Sequence, residues 1–255
     1  MKFRRTAVIT MMFAAVPMMV SVAKANTVTL DVTPGYYPGN GGGEFTAYTS
    51  QNFLNNYNSA AIVNGGFETF CLETGVEFYP GQSYYYSLGN TTQPTPGNPS
   101  SGSGLALSMG AAYLYYEFAT GQLQGFDYTE GAGRQTDDNL LQAAIWWFQG
   151  NQTYGNYNNP GTTDNEFVDS AITALGSPNA YAAANGAYGV DVLQMWSNAN
   201  DTGAAQNQLV LVPDGGLTAG MLGMSLFGMG LLQSWRRKYC KFCFNASMRQ
   251  AEKLS

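Results

Sequence analysis

The chain has 255 residues, 11 Lys and Arg against 17 Asp and Glu, a net charge of −6 and no histidine. Without imidazole, the Ser-His-Asp and Cys-His hydrolase arrangements and the commonest metal sites lack their base or ligand. Ten of the eleven cations lie at or before Lys24 or at or after Arg236, so residues 26–212 carry fifteen carboxylates against Arg134 alone, and their field repels nucleic acid and attracts cations or basic partners.

Lys2, Arg4 and Arg5 precede an apolar run from Ala7 to Val22, and Ala23-Lys24-Ala25 supplies the small residues of a cleavage site before Asn26. Residues 1–25 therefore read as a secretory signal peptide, and 26–212 as an exported body. In that body, Val28 to Val32, Phe45 to Tyr48, Phe67 to Leu72 and Ser83 to Leu88 alternate or run apolar between Gly, Pro and Asn clusters, as half-buried strands of a sandwich do. Thr91 to Gly104, rich in Pro, Ser, Gly and Asn, is expected to be a loop.

The period then changes. Leu105 to Ala119 is a helix candidate closed by Gly121. Thr136 is a candidate cap for a second helix that starts with Asp137 and Asp138 and ends at Gly150. Thr163 and Glu166 form a capping box for a third, whose apolar face is Phe167, Val168, Ala171, Ile172 and Leu175. Val190 to Trp196 and Gln208 to Val212 flank a polar Asn-Asp-Thr-Gly stretch, the pattern of a hairpin. The fold class expected is α+β, a β-sandwich with a helical insertion.

Beyond the body, Val212-Pro213-Asp214-Gly215-Gly216 leads into an uncharged run from Leu217 to Trp235, long enough to span a bilayer, and then into Arg236, Arg237 and Lys238. This tripartite tail over 213–238 resembles the PEP-CTERM class of sorting signals, in particular its VPDSG variant, departing from it at Gly216 and in the residues that follow Lys238. The resemblance implies processing by an exosortase in the membrane. The protein would then be anchored by its C-terminal helix, or released to the cell surface or extracellular matrix after sorting. Residues 239–255 read as a basic cytoplasmic tail, and its Cys240-x-x-Cys243 lacks the further ligands a zinc site needs.

Cys71 is the one cysteine of the exported body, so it has no intradomain disulfide partner and calls for another explanation. On a helix near Asp137 to Gln149, Gln142, Ile145 and Trp146 stand at i, i+3 and i+4 and share a face. In a strand, Phe70 and Leu72 point away from Cys71. Phe70-Cys71 and Leu141-Gln142-Ala143-Ala144-Ile145-Trp146 resemble the motif pair of the thioester domain family of bacterial surface adhesins, over a span of about Gly42 to Val212. The resemblance implies an internal thioester between Cys71 and Gln142, shielded by Phe70, Ile145 and Trp146, that captures a surface nucleophile, an amine or hydroxyl on a protein or polysaccharide. It implies no cofactor and no enzyme turnover. The body has no lysine to consume such an electrophile.

The residues alone leave open a plainer use, with Cys71 a small buried hydrophobe and Gln142 a polar helix residue beside a core Trp. The protein would then be a surface or exopolysaccharide-associated binding or structural protein without a thioester. Catalysis would have to rest on carboxylates such as Glu73, Glu77, Glu117, Asp137 and Asp138, and solvation at a helix start explains the last two better.

Overall fold

The computed structural model describes residues 26–39, 41–92, 104–150, 165–200 and 203–212. The signal peptide, Thr163 of the capping box, Pro213 to Gly216 of the sorting motif and the apolar run after it lie outside the described residues. Among the described residues, no helix is long and apolar enough to cross a membrane.

Seven strands form one antiparallel sheet: β1 (Thr27–Asp31), β2 (Phe45–Thr49), β3 (Ile62–Val63), β4 (Gly66–Thr69), β5 (Ser83–Gly89), β6 (Val190–Trp196) and β7 (Ala204–Leu211), in the order β3-β4-β2-β1-β5-β6-β7. Period-two patterning sets the faces: in β1, Val28 and Leu30 are buried and Asp31 is exposed. The β3-β4 turn is Asn64-Gly65, with φ of 50° and 83°, the left-handed pair that a two-residue hairpin requires.

Beyond Thr69 the chain leaves β2 and pairs with the far end of the sheet. Leu209 N–H donates to Phe70 O (3.2 Å), Leu72 N–H donates to Asn207 O (3.0 Å), and Cys71 lies opposite Gln208. The extension of β4 therefore covers the edge of β7, which removes the exposed edge an antiparallel sheet would otherwise present. Where two packed sheets are expected, hydrogen bonding runs through a single sheet that curls back on itself.

The helices fall between β5 and β6: α1 (Met109–Ala119), α2 (Ala132–Phe148), α3 (Glu166–Leu175) and the single turn α4 (Ser177–Ala180). Three differ from expectation at their starts. Leu105 to Leu107 is extended, with Thr92 N–H donating to Leu105 O and Leu107 N–H to Asn90 O, so α1 begins only where Ser108 caps it by accepting from Ala111 N–H. Helix α2 begins after Gly131, and the Thr136 hydroxyl bonds back to Ala132 O instead of capping. Asp137 and Asp138 thus lie inside the helix, and Asp138 is buried. The added turn carries Arg134 into the interior to meet Glu44, a tertiary demand that propensity does not encode. In α3, Asn165 is the cap, accepting from Phe167 N–H, and Phe167 and Ala171 are the buried members of the apolar face.

One core joins sheet and helices, with Phe67, Phe70, Leu114, Phe118, Ile145 and Leu209 at its centre. Tyr115, on α1, is fully buried and donates to Glu68 O, while Tyr57 bridges the Tyr115 hydroxyl and Leu211 N–H. Tyr113 and Tyr116 stay half-buried and pack against Tyr188.

Candidate functional site

Along α2, Arg134, Asp138, Gln142 and Trp146 recur every fourth residue and all are buried, so one inward stripe of the helix carries its polar and ionisable groups. Burial of such a stripe is costly unless each group finds a partner. Its partners are the segment Gly42 to Phe45, which crosses in front of the helix, and Cys71.

Gln142 is fully engaged. Its Oε1 accepts from the backbone N–H of Cys71 (2.9 Å) and of Gly43 (3.0 Å), and its Nε2 donates to Cys71 O (2.8 Å). The side chain acts as a strand partner would, satisfying both main-chain groups of Cys71 at once. Its approach depends on Gly42, where a Cβ would lie 2.4 Å from Trp146 Cη2 and 3.0 Å from Gln142 Cγ.

The structure therefore brings Cys71 and Gln142 together, with Gln142 holding the main chain. The sulfur faces a different amide. Gln208 Nε2 lies 3.5 Å from Cys71 Sγ, and its other contact is Gln206 O at 3.4 Å. Gln208 Oε1 is buried and has no hydrogen-bond donor among the described residues. A fully buried amide with an orphaned oxygen is expensive, by about 1–3 kcal/mol, and such groups are few in folded proteins.

Around the sulfur, Cys71, Phe45 and Trp146 form a small apolar cluster separate from the main core, extended by Val32, Tyr37 and Phe78. Phe45 meets Phe78 edge-on with centroids 4.7 Å apart. Of the shielding residues expected, Trp146 alone belongs to this cluster. Phe70 and Ile145 point into the main core, because strand alternation sends Phe70 opposite Cys71 and one residue of helix turns Ile145 away from Trp146. Burial pushes the Cys71 thiol pKa up, the Gln208 amide opposes this, and the charge of Glu73 adds to it.

Beside the site lies a buried ionic group. Arg134 donates through Nε to Glu44 Oε2 (2.7 Å) and through Nη2 to Glu44 Oε1, and it also donates to Tyr128 O (2.7 Å) and Ala60 O (2.9 Å). The Tyr36 ring stacks on the guanidinium at 4.5 Å. Asp138 stands against Glu44, and two buried carboxyls in contact must share a proton. Burial first, and then the Glu44 charge, push Asp138 up to about 11, so it is the neutral member. Glu68, also buried, is raised by the same two causes. The one cation of the body is therefore an internal counter-ion, and the described surface carries no Lys or Arg.

Sequence reading missed Gln208 and Glu44, and singled out Glu73 only as one of several carboxylates. A signal for the first was present: Gln206-Asn207-Gln208 places three successive amides in a strand that is otherwise apolar, and all three are buried. Of the sorting motif, Val212 alone is described, and its N–H donates to Gly189 O at 2.8 Å. No protein-family model, no curated protein and no solved structure matches the chain, so what this molecule does is to be read from its own geometry.

Proposed function

We propose that this is an exported surface or matrix protein that captures a partner covalently through an internal thioester on Cys71, with Gln208 as the acyl donor and Gln142 as the residue that positions Cys71. The sulfur attacks Cδ of Gln208, the C–N bond breaks, and ammonia leaves with the thiol proton. A partner amine then attacks the same carbon, the C–S bond breaks, and the thiol is restored while the partner stays bound as an amide; a hydroxyl would give an ester. The protein is consumed in one event and is not an enzyme.

One observation carries this reading: a fully buried amide lies against the sulfur with its oxygen unpaired. Gln142 was the donor expected from sequence, and its three main-chain bonds favour a holding role instead. The shield of Phe45 and Trp146 keeps water from the acyl bond. In this reading the signal peptide exports the body, and an exosortase sorts it at the membrane.

The test is intact mass. The folded body should weigh one ammonia less than its sequence, and methylamine should add to the peptide containing Gln208 while freeing the Cys71 thiol. An unaltered mass with no adduct would instead support a binding or structural protein with a plain buried cysteine. Gly42→Ala is expected to push Trp146 off the sulfur and shorten the lifetime of the acyl bond against water by about tenfold or more, followed as mass regain over time.

A further inference from the structure

Forming a thioester requires a proton to move. The thiol must lose one as the S–C bond forms, and the amide nitrogen must gain one before it departs as ammonia. The chain has no histidine, and its body has no lysine, and of the proton-carrying groups that remain the carboxyls titrate closer to neutral pH than the tyrosines. Four described carboxyls are buried: Glu44, Glu68, Glu73 and Asp138. Three of them belong to the Arg134 group.

Glu73 stands apart from that group, and its charge acts on the Cys71 thiol. It follows Cys71 by two residues on the segment that closes against β7. Its carboxyl accepts from Asn207 N–H (2.9 Å) and from the Asn207 side-chain amide, while Gln206 Nε2 donates to its carbonyl (2.6 Å). Asn207 is the neighbour of Gln208 in the chain, so one short stretch of β7 both orients this carboxyl and presents the amide to Sγ. A carboxyl whose orientation is fixed by a third group, on the segment that carries a nucleophile, is a candidate for moving that nucleophile's proton.

The groups facing Glu73 are the Asn207 amide and N–H, the Gln206 amide and its own N–H, and none is charged. The Cys71 thiol is the titratable group on which its charge acts. Burial raises the Glu73 carboxyl to about 7, against the lowering effect of the Asn207 bonds. A carrier with that pKa both accepts and returns a proton at neutral pH.

We propose that the Glu73 carboxyl carries the proton in the acylation of Cys71, accepting it from the sulfur as the bond to Gln208 forms and passing it to the nitrogen that leaves as ammonia. This rests on the thioester reading above. In capture the same carboxyl takes the proton from the attacking amine and gives it to the departing sulfur, so both half-reactions balance without a cofactor.

The experiment is refolding of the wild-type and Glu73→Gln chains between about pH 5 and 9, with ammonia release and intact mass followed over time. In the wild type the rate should show a limb near the Glu73 titration. Glu73→Gln should slow ammonia release by about 100-fold or more and remove that limb. Should the variant fail to fold, Asn207→Ala leaves the carboxyl in place but takes away a bond that favours its charged form, and the limb should move to higher pH. Acylation of Glu73→Gln at the wild-type rate with an unchanged profile, or an unmoved limb in Asn207→Ala, would overturn the proposal. A wild type that never loses ammonia would overturn the thioester reading itself, which is a separate result.

Discussion

Cys71→Ala and Gln208→Ala are each expected to abolish ammonia loss and the methylamine adduct completely, whereas Gln142→Ala should slow both and leave them detectable. The difference follows from what each amide touches. In the proposed reaction Gln208 supplies the acyl carbon, so nothing replaces it. Gln142 supplies two main-chain acceptor contacts and one donor contact to the Cys71 region, and its removal leaves the N–H groups of Cys71 and Gly43 buried and unpaired. That loss costs about 3 kcal/mol of stability and, for a body of this size, lowers Tm by roughly 6–12 °C. The outcome that would return the donor role to Gln142 is also clear: no adduct in Gln142→Ala and a normal adduct in Gln208→Ala.

Stability offers a second readout of the same bond. The proposed covalent link would close the loop from residue 71 to residue 208 and restrict the unfolded chain, an effect of up to about 5 kcal/mol by loop-closure entropy. Methylamine, by opening that link, should therefore lower the wild-type Tm and leave the Tm of Cys71→Ala unmoved. Equal melting of treated and untreated wild type would argue that no such link exists.

Arg134→Met is expected to cost about 3–5 kcal/mol, the largest stability loss from a single change away from the sulfur. It leaves Glu44 without its counter-ion in the interior beside Asp138 and Glu68. The pH dependence has a definite sign. Asp138, raised to about 11, and Glu73, raised to about 7, hold protons in the folded state that the unfolded chain releases near pH 4. Their stabilising contribution is complete below that point and declines as pH rises, through about 7 for Glu73 and about 11 for Asp138. The wild type should thus melt higher at mildly acidic pH than at mildly alkaline pH. In Arg134→Met the slope should steepen, because Glu44 without the guanidinium also folds protonated. Thermal melts across this range check both statements, and a variant within about 1 kcal/mol of wild type would show the ion group to be dispensable.

Much of the organisation is legible in the sequence. Apolar alternation marks β1 and β5, since a half-buried strand must show period two. A lone body cysteine and the six residues around Gln142 point to the region of the candidate site, because a buried polar residue on an apolar helix face needs a specific partner. What the linear pattern lacks is the identity of that partner. Phe70 to Leu72 reads as the end of one strand, and nothing local says that it crosses to β7 and sets Cys71 against Gln208.

The start of α2 is the same kind of case. Gly131 is a poor cap and Thr136 a good one, yet the helix begins at the former because Arg134 then reaches Glu44. Sequence by itself determined the charge partition, the α+β alternation and the presence of an unpaired thiol beside an aromatic helix face, all of which depend on residue type and near neighbours. The tertiary structure decided which amide meets the sulfur, which carboxyls are buried together and which aromatics shield the thiol. Those choices depend on contacts between segments up to 137 residues apart, whose energies are set by the closed sheet rather than by any one segment.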